Sequence, residues 1–142
     1  MDAPVLTADM VSADGVRAAA LRLAGNAVRT PLLENAVLNE RAGGRILIKA
    51  ETLQHYGSFK FRGAYNLIAQ LSPQERKAGV LAWSSGNHAQ GVAYAAKLMG
   101  VKAVILMPAD APGIKMRNVR ALGAEVVTYD RYTEDREAIG AD

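Results

Sequence analysis

The sequence predicts an α/β fold, a three-layer αβα arrangement built around a parallel sheet. Three short apolar runs carry this prediction: VLAW at 80–83, AVILM at 103–107 and EVVTY at 125–129. Each run has the length of a buried strand, and segments with helical periodicity separate them. Continuous apolar strands that alternate with helices are typical of a parallel sheet that is covered on both faces.

The other elements are predicted from helical periodicity, caps and turn residues. Helical patterns cover 12–24, 58–71, 87–99 and 112–122, with a short capped turn or helix at 72–79 and the start of another helix after 133. Ser12 is the expected N-cap of the first helix. Pro31 indicates a loop over 29–36, and RILIKAE at 45–51 indicates a further strand.

Composition is that of a globular domain and excludes several classes of function. Half of the 142 residues are hydrophobic and 22% are charged. The net charge of +3 favours anionic ligands, but the basic residues are spread along the chain, so a nucleic-acid partner is not expected. The absence of cysteine excludes thiolate chemistry. The longest apolar run, at 103–108, is too short to span a membrane, and the acidic N-terminus does not resemble a secretory signal.

Lys60 occupies an unexpected position in the predicted helix over 58–71. The apolar arc of that helix, within which Lys60 falls, consists of Phe61, Ala64, Leu67, Ile68 and Leu71. Lys60 also lies in the first turn, where the helix dipole disfavours a cation. Burial and the dipole would both favour a neutral amine, which can form a Schiff base with a carbonyl. The alternative is a side chain whose ammonium reaches water.

The loop after the first predicted parallel strand reads SSGNHAQG, at 84–91. Ligands of open parallel sheets bind beyond the carboxyl ends of the strands, and the start of a helix offers N–H groups to an anion. Together with Lys60, this loop predicts a carboxylate site beside a reactive amine. Taken alone, the loop is also ordinary turn chemistry, in which Asn87 or a serine caps the helix and His88 is a packed or capping residue.

Several motifs, in this order, resemble one branch of a known enzyme family. They are TPLL at 30–33, ETLQ at 51–54, GSFKFRGA at 57–64 and SSGNHAQGVA at 84–93. Together they resemble the threonine/serine dehydratase branch of the fold-type II pyridoxal-phosphate enzymes, to which serine racemase also belongs. The resemblance runs from about Arg29 to Tyr132.

The resemblance implies a role for each residue of the two central motifs. Lys60 would form the Schiff base with pyridoxal phosphate and move the α-proton of the substrate. Phe59 would pack beside the cofactor ring, and Asn87 would hydrogen-bond the phenolic oxygen of the cofactor. The substrate carboxylate would be cradled by Ser84, Ser85, Gly86, Asn87 and His88. No metal site is expected.

The implied reaction is the dehydration and deamination of threonine or serine to a 2-oxo acid and ammonia. An amino-acid racemase on the same fold is the alternative, because Ser85 is suitably placed to carry a proton on the opposite face of the intermediate. A β-replacement enzyme of the cysteine-synthase kind is disfavoured, since the loop reads GNHAQG rather than a threonine-rich sequence. A catalytically inactive fragment or a simple anion-binding α/β domain is the alternative from another class.

The resemblance also implies a division into domains. Residues 1–50 would belong to the large domain, and 51–142 would form the small αβα domain with the lysine and the asparagine loop. The remainder of the large domain is expected to be absent, because the glycine-rich loop that holds the cofactor phosphate has no match; Gly43-Gly44 is the only glycine pair. The parent enzyme is expected to be a cytoplasmic homo-oligomer that acts on a small-molecule amino acid, without nucleic acid or membrane as partner.

Overall fold

The computed structural model describes residues 12–141. In chain order the elements are α1 (Ala13–Leu23), β1 (Leu32–Glu34), α2 (Ala36–Ala42), β2 (Leu47–Lys49), α3 (Lys60–Ile68), α4 (Pro73–Ala78), β3 (Val80–Trp83), α5 (Asn87–Met99), β4 (Ala103–Pro108), α6 (Gly113–Ala121), β5 (Glu125–Tyr129) and α7 (Arg136–Ala141). Two 3-10 turns, Glu51–Leu53 and His55–Gly57, connect β2 to α3. The prediction about a secretory signal concerns mainly residues 1–11, which lie outside the described residues.

The second half of the chain forms a parallel sheet with the strand order β3-β4-β5. Val80 is paired with Ala103, and Val104 is paired with Glu125, both in parallel register. Helix α5 connects β3 to β4 and helix α6 connects β4 to β5, because neighbouring parallel strands need a crossover connection. The parallel sheet predicted from the three apolar runs is confirmed.

Helices lie on both faces of this sheet. On one face, α5 and α6 bury their apolar residues against Ile105 and its neighbours in β4. On the other face, the side chains of Leu81 and Trp83 contact α7, where a Cβ added at Gly140 would lie 3.0 Å from Leu81 Cδ2. Alternate residues of a strand point to opposite faces, which explains why β3 contributes to both layers. The predicted three-layer αβα class is therefore confirmed.

The core lies between α3, α5 and the sheet. Its fully buried large side chains include Phe61, Ile105, Met107 and Val119. Helix α5 contributes mainly alanines, and these small side chains allow it to pack closely against both the sheet and α3. The close packing of α3 on α5 brings the starts of these two helices together.

The first half of the chain differs from the prediction in two elements, because neither helix α2 (Ala36–Ala42) nor strand β1 was predicted. The segment predicted as a loop around Pro31 contains β1, which pairs in antiparallel register with β2, Leu33 opposite Ile48. Pro31 is compatible with this pairing because it precedes the strand and uses only its carbonyl, which accepts a hydrogen bond from Ala50 N–H (3.0 Å). Strand β2 is also shorter than predicted, since it covers only three residues of 45–51.

Two helices begin at predicted caps, whereas the helix predicted over 58–71 is observed as α3 and covers only Lys60–Ile68. Ser12 accepts a hydrogen bond from Gly15 N–H at the start of α1, as predicted. Helix α4 has a complete capping box between Ser72 and Glu75. No helix among the described residues is both long and apolar enough to cross a membrane.

A half-buried ion pair ties the N-terminal segment to α3. Arg62 donates two hydrogen bonds to Glu51, from Nε to Oε2 (2.8 Å) and from NH2 to Oε1 (2.7 Å). The hydroxyl of Thr30 donates to the same carboxylate, and Lys49 Nζ donates to the Thr30 carbonyl. The hydrogen bonds from Arg62 lower the pKa of Glu51 to about 2, against the opposing effect of burial. This network holds the first turns of α3 against the segment that precedes them.

Candidate active site

A tight turn delivers Lys60 to the start of α3. Tyr56 (φ +56°) and Gly57 (φ +72°) both have left-handed backbone conformations, and Tyr56 is the only non-glycine residue with a positive φ among residues 12–141. The Tyr56 ring packs on Tyr94, with ring centroids 5.0 Å apart, and this contact supports the unfavourable conformation. Ser58 follows in extended conformation, and its hydroxyl accepts a hydrogen bond from Lys60 N–H (3.3 Å).

The Lys60 side chain is exposed, with Nζ 5.1 Å from the centre of the Phe59 ring. The prediction that Lys60 lies against apolar surface is therefore wrong, and Leu67 of the predicted arc is also 66% exposed. Phe61, Ala64 and Ile68 are buried as predicted. Lys60 is the first residue of α3, where its side chain extends past the packed part of the helix. A helical wheel gives the direction of a side chain around the helix axis. It does not show where along that axis the neighbouring elements end. The dipole of α3 still acts on Lys60.

The loop between β3 and α5 exposes the start of a helix, as predicted. Ser84 N–H extends the pairing of β3 with β4 through a bond to the Leu106 carbonyl (3.0 Å). The Ser84 hydroxyl accepts a hydrogen bond from Gly86 N–H (3.3 Å), which fixes the turn. Gly86 is the N-cap of α5 and supplies no side-chain cap. The N–H groups of the first turn, beside the exposed Ser85, are thus available to an anion.

The starts of α3 and α5 meet at Gly91. A Cβ added at Gly91 would lie 3.1 Å from both the Lys60 carbonyl carbon and Phe61 N. Gly91 stands one helical turn after Asn87, so the same face of α5 that contacts the Lys60 peptide continues to Asn87. His88 is half-buried here, and burial together with the positive charge of Lys60 lowers its pKa. His88 is accordingly neutral at physiological pH.

Asn87 has a partner on α6. Lys115 Nζ donates a hydrogen bond to Asn87 Oδ1 (2.8 Å). Asn87 is the first residue of α5 rather than its N-cap, so the capping role considered for it is wrong. Sequence reasoning missed both Lys115 and the close approach at Gly91. Lys115 stands 28 positions after Asn87 on the next helix, and only the packing of α6 on α5 brings the two side chains together.

The donors present fit a carbonyl cofactor and a carboxylate substrate. Lys60 offers an exposed primary amine, the first turn of α5 offers N–H groups, and the Asn87 amide has its NH2 group opposite the oxygen that Lys115 binds. Gly43 and Gly44 close α2 through bonds to Asn39 and therefore do not form a phosphate loop. No cluster of three or more His, Asp or Glu residues that could bind a metal ion occurs in the described part of the chain.

The exposed lysine and the uncapped start of α5, in a parallel α/β domain, are groups that can bind an aldehyde and an anion. The chain belongs to the family of pyridoxal-phosphate dependent enzymes, whose model matches residues 23–142. Pyridoxal phosphate is the cofactor of this family.

The chain is similar to both lyases and racemases. It is 54% identical over 122 residues to an L-threo-3-hydroxyaspartate ammonia-lyase from Pseudomonas sp, covering 86% of this chain and 38% of that protein. It is 50% identical over 118 residues to an L-threonine ammonia-lyase from Thermotoga maritima, covering 83% of this chain and 29% of that protein. The structure of serine racemase from Dictyostelium discoideum matches with a TM-score of 0.86 and 38% identity, covering 92% of this chain and 42% of that one. The chain thus spans less than half the length of each.

Proposed function

We propose that the protein is a pyridoxal-phosphate dependent ammonia-lyase, which converts serine or threonine to a 2-oxo acid and ammonia. The observation that carries this proposal is the contact between α3 and α5 at Gly91, which packs the Lys60 backbone against α5 one helical turn from its uncapped start. The similarity to two ammonia-lyases, at 54% and 50% identity, supports the reaction type.

Three residues would hold the cofactor. Lys60 would bind its aldehyde carbon, and Phe59, which is exposed beside the Lys60 amine, would pack against the ring. Asn87 would donate a hydrogen bond from Nδ2 to the phenolic oxygen. When bound, pyridoxal phosphate supplies a conjugated ring that takes up the electrons left when a proton departs from the substrate α-carbon.

The loop between β3 and α5 and the Lys60 amine carry out the remaining steps. The substrate carboxylate binds the first N–H groups of α5 and the hydroxyls of the loop formed by Ser84, Ser85, Gly86, Asn87 and His88. Neutral His88 adds a hydrogen-bonding ring without a second positive charge. Once the substrate amine has replaced it on the cofactor aldehyde, the freed Lys60 amine would take the α-proton and would pass a proton to the β-hydroxyl, which would leave as water. The released enamine tautomerises to an imine, which water hydrolyses to the 2-oxo acid and ammonia.

A racemase is the second candidate, and the observation that favours it is the exposed hydroxyl of Ser85. Ser85 is exposed in the loop and carries a hydroxyl that can return a proton to the face of the substrate opposite Lys60. The similarity to a serine racemase structure supports the same reading. Chiral analysis of serine after incubation with the protein separates the two activities, because a lyase consumes serine whereas a racemase inverts it.

The exposed two-stranded sheet of β1 and β2 supports the proposed domain division. Both strands are exposed along their whole length, and an isolated two-stranded sheet is marginally stable in water. The exposed apolar residues of this region are Leu32, Leu33, Val37, Leu38, Ile46, Leu47 and Ile48. We therefore propose that residues 1–50 belong to a larger domain and that 51–142 form the small domain. A homo-oligomeric enzyme in the cytoplasm is part of the same proposal.

Cofactor binding and turnover test the proposed function together. The native protein should become yellow with pyridoxal phosphate and release a 2-oxo acid from L-serine, L-threonine or L-threo-3-hydroxyaspartate. Lys60→Ala should abolish both, whereas Lys97→Ala, an exposed lysine in the last turn of α5, should leave both unchanged. A native protein that stays colourless and inactive would instead support the inactive or anion-binding α/β domain.

A further inference from the structure

Lys115 approaches the candidate site from a helix that the proposed mechanism does not use. Its side chain is half-buried between α5 and α6, and its Nζ lies 2.8 Å from Asn87 Oδ1. The ion pairs found among residues 12–141 do not include Lys115. Its ammonium is thus directed to an uncharged amide rather than to a carboxylate.

A second hydrogen bond between α5 and α6 fixes how the two helices are aligned where Lys115 meets Asn87. Asn118 Nδ2 donates to Gln90 Oε1 (2.8 Å), and Gln90 is only 2% exposed. Lys115 and Asn118 are three residues apart on α6, and their partners Asn87 and Gln90 are three residues apart on α5. Residues at this spacing lie on one face of a helix. The two hydrogen bonds therefore link α5 and α6 at successive positions along the helices; the Asn118–Gln90 bond is partly buried and the Lys115–Asn87 bond is exposed.

The hydrogen bond from Lys115 determines which end of the Asn87 amide faces outward. An ammonium group only donates hydrogen bonds, so it can pair with Oδ1 but not with the NH2 group. The pairing leaves the two Nδ2 protons for another acceptor. If the amide rotated by half a turn, it would present oxygen instead, which would repel an anionic phenolic oxygen. The positive charge of Lys115 also favours an anion nearby.

We propose that Lys115 is a positioning residue for Asn87, which it holds as a hydrogen-bond donor towards the phenolic oxygen of the cofactor. The proposal rests on the proposed function, since it assigns Lys115 a role in the same site. Lys115 acts through Asn87 and is not itself a catalytic residue.

Cofactor affinity of three lysine variants tests this role in the native protein. Lys115→Met keeps the length of the side chain but removes the donor, and should weaken pyridoxal-phosphate binding about tenfold, as measured by absorbance titration. Lys115→Arg restores a donor and should recover most of the affinity. Lys102→Met is the matched control, because Lys102 forms an exposed ion pair with Glu125 at the amino-terminal end of β4, away from the site. It should bind the cofactor as the wild type does.

A double-mutant cycle separates positioning from packing. In an Asn87→Ala background, Lys115→Met should cause no further loss of cofactor affinity, because the residue through which it acts is gone. Melting of the cofactor-free Lys115→Met protein should be close to that of the wild type. Additive losses, or a loss of affinity that follows a lower melting temperature, would assign Lys115 a structural role and overturn the proposal.

These experiments distinguish a failure of the Lys115 assignment from a failure of the proposed function. A wild-type protein that binds the cofactor, together with a Lys115→Met variant of equal affinity, would overturn the Lys115 assignment alone. A wild-type protein that does not bind pyridoxal phosphate would overturn the proposed function and this assignment with it.

Discussion

Gly91 packs directly against the peptide of Lys60, so that a Cβ on Gly91 would lie 3.1 Å from the Lys60 carbonyl carbon and 3.3 Å from its oxygen. The neighbouring atoms belong to the backbone at the first turn of α3, so they cannot move out of the way by side-chain rotation. The distance between the two helices at this point depends on the absence of a side chain at 91. The position of the candidate Schiff-base lysine relative to the loop at 84–88 therefore depends on one glycine.

Gly91→Ala should displace the first turn of α3 and weaken cofactor binding about tenfold or more. Overpacking costs about 1–3 kcal/mol, and the better helix propensity of alanine offsets about 1 kcal/mol of that. The melting temperature should therefore fall only modestly. Gly63→Ala, also in a helix but with no atom within 4 Å of the new Cβ, is the matched control and should retain full affinity. Equal cofactor affinity in both variants would show that the close approach is unimportant for the site.

Borohydride reduction of the cofactor-loaded protein should attach the pyridoxyl group to Lys60. Peptide mapping by mass spectrometry locates the modified lysine, and the Lys60→Ala variant should give no label. Lys49 is the informative alternative in the neighbouring segment, but its Nζ is engaged by the Thr30 carbonyl. A label on Lys49 would contradict the assignment of Lys60.

Asn87→Ala should weaken cofactor retention about 10- to 100-fold. The reason is the loss of a hydrogen bond to a charged group, which typically costs about 1.5–3 kcal/mol. The visible absorption of the bound cofactor should also shift. Because Gly86 rather than Asn87 is the N-cap of α5, the melting temperature of the cofactor-free protein should change little. A variant with lower melting temperature but unchanged spectrum and affinity would mean that Asn87 only stabilises the fold.

Ser85→Ala should separate the two candidate activities. If Ser85 carries the proton on the face opposite Lys60, the variant should lose racemisation of serine while it retains release of the 2-oxo acid. Chiral chromatography measures the first activity and a 2-oxo acid assay measures the second. Racemisation that survives in Ser85→Ala would exclude Ser85 as the second proton carrier.

The Glu51–Arg62 pair predicts a loss of stability in acid. The pKa of Glu51 falls from 4.5 to about 2 on folding, so the charged carboxylate favours the folded state. Each pKa unit corresponds to about 1.4 kcal/mol, which sets an upper limit of about 3 kcal/mol for this contribution. The contribution is complete above about pH 4.5 and is lost as the pH falls towards 2. Urea unfolding at a series of pH values should show this dependence in the wild type and not in Glu51→Gln.

Glu34 offers the matched control for this pH dependence. Glu34 accepts two hydrogen bonds from Arg45 in the same bidentate geometry, but the pair lies at the surface. Exposed ion pairs contribute little to stability, so Glu34→Gln should unfold nearly as the wild type does. If Glu34→Gln and Glu51→Gln lost the same stability, burial of the Glu51 pair would not explain its effect.

The sequence was informative where local patterns are sufficient. Buried parallel strands need continuous apolar runs, so the runs at 80–83, 103–107 and 125–129 were recognised, and with them the loop at their carboxyl edge. Ser12 was recognised as a cap because a cap depends on the residues next to it in the chain. The motifs around Lys60 and Asn87 identified the family for the same reason.

The prediction that Lys60 is buried was wrong because burial depends on what lies beyond the end of a helix. Strand β1 was missed because three residues after a proline carry little periodicity, and their pairing partners lie 13 to 17 positions away. Neither error could be corrected from the local pattern, since both features depend on residues distant in the sequence.

By itself the sequence determined the parallel α/β architecture, the order of the elements from α3 onward and the two motifs of the candidate site, because periodicity, caps and short motifs are local properties of the chain. Only the tertiary structure decided that Gly91 contacts the Lys60 backbone, that Lys60 is exposed and that Lys115 reaches Asn87. The contact of Gly91 with Lys60 joins residues 31 positions apart, and that of Lys115 with Asn87 joins residues 28 positions apart. Both contacts exist only because α3, α5 and α6 pack side by side. Packing depends on the shapes of whole surfaces, which no local pattern encodes.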